Sequence, residues 1–121
     1  MLEFEDLTYQ IRACVYEVYR CLGHGFLEKV YENALLLELK SKGIRAISQV
    51  PLTVHYKGEL VGEYVADLVI EDRVLLELKA QKQLSAGNEA QLLNYLRAGQ
   101  WRVGMLINFA YPRAKIKRLI V

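Results

Sequence analysis

Apolar positions first recur at three- and four-residue steps. Ile11, Cys14, Val15, Val18 and Leu22 mark one face of an amphipathic helix from about Glu5 to Leu22, ended by Gly23. Gly25 opens a second helix, in which Leu27, Val30, Tyr31, Ala34, Leu35 and Leu39 keep the same spacing. Lys42-Gly43 stops it, a cation in the last turn followed by a residue free to turn left-handed. The period then falls to two. Ile44 to Tyr56 reads as a strand interrupted at Pro51, which predicts an edge or a bulge. Lys57-Gly58 turns the chain into a second strand, Glu59 to Ile70, and Val74 to Ala80 is the third. Polar residues Gln81 to Asn88 lead into a third helix, Glu89 to Ala98, closed by Gly99. Trp101 to Phe109 and Ile116 to Val121 supply the last two strands. This order predicts an α/β layer architecture with a mixed sheet. With no repeat, linker or low-complexity tract, residues 1–121 read as a single domain.

Composition narrows the class. The chain is 53% hydrophobic and 25% charged, the profile of a soluble globular domain that needs no disulfide or metal to fold. No apolar stretch approaches the roughly 18 residues of a membrane span. The start, Met1-Leu2-Glu3-Phe4-Glu5-Asp6, is acidic where a secretory signal is basic. The expectation is a cytoplasmic protein with no membrane association. Cys14 and Cys21, about 10 Å apart on one helix, lie beyond the ~7 Å reach of a disulfide. Zinc and iron–sulfur sites lack the further Cys and His ligands they need. A formal charge of +2 permits nucleic-acid binding without demanding it. A small-molecule enzyme has little support, since there is no Gly-rich phosphate loop, no G-x-S-x-G elbow and no Cys/His pair.

The chemistry concentrates in Tyr64-Val65-Ala66-Asp67-Leu68-Val69-Ile70, Glu71-Asp72-Arg73 and Val74-Leu75-Leu76-Glu77-Leu78-Lys79-Ala80. Alternation puts Ala66, Leu68, Ile70, Val74, Leu76, Leu78 and Ala80 on one wholly apolar face. The other face carries Val65, Asp67, Val69, Leu75, Glu77 and Lys79. A two-residue Glu71-Asp72 turn would send the carboxylates to opposite sides, and it lacks the Gly or Asn such turns favour. A three-residue loop instead pairs Ile70 with Val74 and sets Asp67 opposite Glu77, with Cβ atoms roughly 5 Å apart. Like charges at that distance repel unless something positive lies between them, either Lys79 or a divalent cation. One reading is an ordinary solvated strand face. The other is a partly covered site, because Val65, Val69 and Leu75 share the charged face and buried charge needs a partner. Paired carboxylates with a lysine suit metal-assisted phosphodiester hydrolysis, in which hard oxygen ligands hold magnesium and an ammonium stabilises the phosphorane.

With these residues in hand, the chain resembles the GxxExxY family of the PD-(D/E)XK nuclease superfamily. Gly25-Phe26-Leu27-Glu28-Lys29-Val30-Tyr31 carries the naming motif, and Asp67 followed by Glu77-Leu78-Lys79 carries that of the superfamily. Gln91-Leu92-Leu93-Asn94-Tyr95 is similar to the QxxxY signature of its RecB-like members. The resemblance implies a restriction-endonuclease-like αβββαβ core with an extra N-terminal helix and a short C-terminal strand. It implies a nuclease in which Asp67 and Glu77 bind Mg²⁺ or Mn²⁺, Lys79 assists the attacking water and Glu28 completes the acidic cluster. Glu28 in the first turn of a helix also has an ordinary role beside the macrodipole. Tyr31, one turn on, either orients Glu28 and meets substrate or belongs to the core. Gln91 and Tyr95 share a helix face that reaches the carboxylates or the substrate, or else faces solvent. Lys82, Arg97, Arg102, Arg113, Lys115, Lys117 and Arg118 are candidates to track phosphates. The expected partner is nucleic acid, DNA before RNA. A homodimer through the Pro-interrupted strand or the first helix is a further expectation. The alternative is a non-catalytic nucleic-acid- or protein-binding domain on the same fold.

Overall fold

A computed structural model describes residues 4–121 and gives the order α1 (Glu5–Leu22), α2 (Glu28–Ser41), β1 (Ala46–Tyr56), β2 (Glu59–Ile70), β3 (Val74–Lys79), α3 (Ala86–Gly99), β4 (Val103–Phe109) and β5 (Ala114–Ile120). The strands form one sheet in the order β1-β2-β3-β4-β5. Only β3 and β4 are parallel, and α3 is their crossover; the other neighbours are antiparallel. The predicted α/β architecture with a mixed sheet is the one observed.

Each sheet face buries a separate apolar cluster. On one face Ile11, Val15 and Val18 of α1 and Tyr31, Leu35 and Leu39 of α2 pack on Leu68, Ile70, Leu76, Met105 and Ile107. On the other, Leu92, Tyr95 and Leu96 of α3 pack on Leu52, Ala66, Val69, Leu75 and Leu106. Gly104 lets α3 approach closely, since a Cβ there would come within 3.0 Å of Leu92 Cδ1 and 3.1 Å of Leu96 Cδ1. Among the described residues no helix is long and apolar enough to cross a membrane.

Several details depart from the sequence expectation. The helix predicted to open at Gly25 begins at Glu28, because residues 23–27 form a bend held by Tyr31. Helix α3 begins at Ala86, ahead of the predicted Glu89. Ser85 accepts from the Asn88 amide while Asn88 Oδ1 accepts from the Ser85 amide, a reciprocal cap that turns part of the polar run into helix. Strand β1 does lie at the sheet edge, but its register shift falls at Val54/His55 and not at Pro51.

Candidate active site

The hairpin register has the three-residue form. Ile70 pairs with Val74, Val69 with Leu75 and Leu68 with Leu76. Glu71 and Asp72 nevertheless both take positive φ, 52° and 55°. Backbone and side chain of Glu71 are tied to Arg45, whose carbonyl accepts from the Glu71 amide and whose amide donates to Glu71 Oε2. The next level brings Asp67 to Glu77, where side chains replace backbone pairing. The Asp67 amide donates to Glu77 Oε1 at 3.1 Å, and the Leu78 amide donates to Asp67 Oδ2 at 2.7 Å. Each carboxylate thus satisfies an amide of the opposite strand.

The ladder is broken on the other side of Asp67 as well. Strands β1 and β2 pair from Ala46↔Ile70 to Ser48↔Leu68 and resume at Val50↔Ala66, passing over Gln49 and Asp67. Gln49 sits at φ 55°, an uncommon conformation for a residue with a Cβ. A left-handed residue turns the strand, so the alternation reverses here. Leu68 and Ile70 pack towards α1 and α2, whereas Ala66 and Leu52 pack towards α3. This corrects the single apolar face drawn through Ala66, Leu68 and Ile70. Val65, expected to share a covered face with Asp67, is exposed.

The local electrostatics follow from burial. Glu77 is 5% exposed, and its carboxyl is pushed up to about 7, chiefly by burial and then by the charge of Asp67. Asp67 is raised by burial first; the Leu78 amide and Lys79 oppose that, while Glu32 and Glu28 add to it. Lys79 Nζ donates to Gln91 Oε1 at 3.4 Å. The fold therefore brings Asp67, Glu77, Lys79 and Gln91 into one connected group, from β2, β3 and α3.

Glu28 does not join it in the expected way. It is exposed at the first position of α2, and among the charges raising Asp67 it acts after Glu32. Glu32, one turn further, is 4% exposed, with its oxygens taken by Lys29 Nζ at 2.8 Å and Gln49 Nε2 at 2.9 Å. Its charge acts on both Asp67 and Glu77. Sequence reasoning missed Glu32 and Gln49. The available signal was an acid at the same helical spacing as Leu35 and Leu39.

Of the two readings of Tyr31, the structure has the core one. It is fully buried, stacked on Phe109 with ring centroids 4.1 Å apart. Its hydroxyl donates to the Gly23 carbonyl at 2.6 Å and accepts from the Phe26 amide at 3.3 Å. It is a core residue that shapes the α1–α2 bend, and its hydroxyl is bonded to Gly23 and Phe26, not to Glu28. Tyr31→Phe is expected to cost about 1 kcal/mol in urea denaturation, the net worth of a buried hydroxyl's hydrogen bonds. Tyr95 packs with Leu92 and Leu96, and its hydroxyl is raised by burial and then by Glu77 and Asp67. It also borders a groove of about 740 Å³ between the β1–β2 hairpin and α3. Lys82 is exposed just beyond β3. Lys117 pairs with Glu89.

The donor chemistry fits a hard divalent cation. Among the described residues no cluster of three or more His, Cys, Asp or Glu closes around a point. A closed zinc site needs three or four such ligands. Magnesium takes one or two carboxylates and keeps positions for water and phosphate oxygens. Asp67 Oδ1 and Glu77 Oε2, the oxygens not engaged by the two strand amides, are the donors available to it.

Comparison with known proteins agrees with this geometry. A family model described as the PD-(D/E)XK nuclease superfamily matches residues 5–119. No curated protein matches the chain. A solved structure described as "Crystal structure of SSO0001" superposes with a TM-score of 0.62 and 18% identity. It covers 97% of this chain, which spans 59% of that one, and at this identity the likeness concerns the fold alone. The five-stranded mixed sheet between helices is the restriction-endonuclease-like fold, and with a family match from the first helix to the last strand, the chain belongs to the PD-(D/E)XK nuclease superfamily.

Proposed function

We propose that this chain is a divalent-metal-dependent nuclease that hydrolyses phosphodiester bonds, with DNA as the first substrate to test. The observation that carries the reading is the Asp67–Glu77 pair. Two largely buried carboxylates meet across a break in the ladder, each braced by an amide of the opposite strand, beside Lys79. Membership of a superfamily whose members are usually metal-using nucleases supports the same chemistry.

In this reading Asp67 and Glu77 hold the cation, and Lys79 and Gln91 act on the substrate. The cation, when bound, would neutralise phosphate charge and make water a stronger nucleophile at neutral pH. The Lys79 ammonium lies against the phosphoryl oxygens as water attacks phosphorus opposite the leaving oxygen, where negative charge develops. Gln91 accepts from Lys79 and so fixes where that ammonium points. Glu32, buried and held by Lys29 and Gln49, adds its negative charge beside the Asp67–Glu77 pair. Exposed Lys82 and Arg97 flank the group as phosphate contacts.

Calorimetric titration of Mn²⁺ and Mg²⁺ into EDTA-stripped protein tests the reading. Wild type is expected to bind, and Asp67→Asn to lose binding. Glu32→Gln is expected to weaken it more than Glu28→Gln. Labelled single- and double-stranded DNA and RNA then report cleavage. Silence with both metals at millimolar concentration, or cleavage unchanged in Asp67→Asn, overturns the proposal. Binding of nucleic acid without metal and without cleavage would favour the non-catalytic alternative.

A further inference from the structure

We propose that the groove between the β1–β2 hairpin and α3 receives an unpaired nucleobase next to the scissile phosphate, which makes single-stranded nucleic acid the substrate class. The inference rests on the nuclease reading and deepens it. The groove, of about 740 Å³, is bordered by Tyr64, Tyr95, Gln91, Asn94, Arg97 and His55. That is the scale of pockets that receive one small molecule, enough for a base with its sugar.

Three features of the lining suit a base. Tyr64 is 47% exposed and is backed by Tyr95, with ring centroids 5.3 Å apart. It therefore offers a supported aromatic face, the sequence-tolerant platform on which unpaired bases stack. The amides of Gln91 and Asn94 provide donors and acceptors along the same groove. Those groups match a Watson–Crick edge only when no partner strand occupies it. The exposed Arg97 supplies a cation for the adjoining backbone phosphate.

Connection to the reacting centre sets which base enters. Gln91 lines the groove and also accepts from Lys79 Nζ. Tyr64 precedes Asp67 by three residues on β2, about 10 Å along an extended strand. A base stacked on Tyr64 thus belongs to a nucleotide beside the one whose phosphate reaches Lys79. The pairing of β2 with β3 ends at Leu68↔Leu76, so the Tyr64 stretch of β2 is not covered by a β3 partner.

The test uses a short oligodeoxynucleotide carrying 2-aminopurine, whose fluorescence falls when it stacks, with the Asp67→Asn protein preventing turnover. Quenching is expected with the single strand and not with the duplex. Adding Tyr64→Ala is expected to remove the quenching and weaken binding about tenfold. Tyr64→Phe, which keeps the ring, is expected to retain both. Wild type is expected to cut the single strand at least tenfold faster than the duplex. Equal quenching with Tyr64→Ala, or equal cleavage of single strand and duplex, overturns the groove assignment. The two readings fail separately. Cleavage without Tyr64-dependent quenching removes the groove and leaves the nuclease; Tyr64-dependent quenching without cleavage by wild type removes the nuclease and leaves a single-strand-binding groove.

Discussion

Metal-free protein is expected to lose stability as the pH rises from about 5 to about 8, and Glu77→Gln is expected to remove most of that slope. The folded state holds a proton on Glu77 up to about pH 7, whereas the ordinary value is 4.5. Between those values the folded protein binds more protons than the unfolded chain, so stability falls with pH. The cost begins above about 4.5 and is complete above about 7. Since one unit corresponds to 1.36 kcal/mol, the upper bound is roughly 3 kcal/mol. Asp67, also raised, shifts in the same direction and leaves a smaller residual slope in the variant. Glutamine is uncharged at every pH and can still accept from the Asp67 amide, so folding geometry is preserved. Urea denaturation of EDTA-treated wild type and Glu77→Gln at several pH values makes the comparison. Divalent cation should raise the transition more at pH 8 than at pH 5, because binding requires both carboxylates deprotonated. A wild-type stability flat across this window would show that Glu77 titrates as an exposed acid does.

The second large effect concerns Lys79. Lys79→Ala is expected to reduce cleavage by about 10²- to 10³-fold, the usual loss when a group facing developing charge is removed. Lys79→Arg should recover little, since a planar guanidinium does not place its charge where the compact ammonium sits. Gln91→Ala is expected to cost roughly tenfold through misplacement of Lys79, with metal binding unchanged. The losses should be less than additive in the double variant, because part of the Gln91 effect passes through the lysine. Fully additive losses would instead leave Gln91 acting only through its own contact with substrate in the groove. Single-turnover rates on one labelled oligonucleotide separate these outcomes.

Legibility followed the range of the interactions. Helix α1 and strand β2 appear between the residues expected for them, since an amphipathic period bounded by Gly23, and an alternation bounded by Lys57-Gly58, are local signals. Helices α2 and α3 were misplaced at their starts, where side chains decide the end: Tyr31 holds a bend open, and Ser85 with Asn88 closes a cap. Asp67, Glu77 and Lys79 were legible as residues because charge on a half-covered strand is conspicuous, and Gln91 through its four-residue spacing from Tyr95. Glu32 and Gln49 were not, because neither stands out until its partner is known.

By itself, the sequence determined the order of elements and the level at which Asp67 and Glu77 meet. Periodicity and loop length are properties of neighbouring residues, and a three-residue loop leaves one register. Only the tertiary structure decided which acid of α2 is buried beside that pair. Glu28 and Glu32 are four apart and share a helix face, so the choice depends on how α2 lies against the sheet. It alone decided that the strand faces exchange at Gln49 and Asp67, which requires a left-handed residue paired with a break in the ladder. The groove beside Gln91 likewise exists only once the β1–β2 hairpin extends past β3 and α3 crosses behind it, a relation between segments distant in sequence.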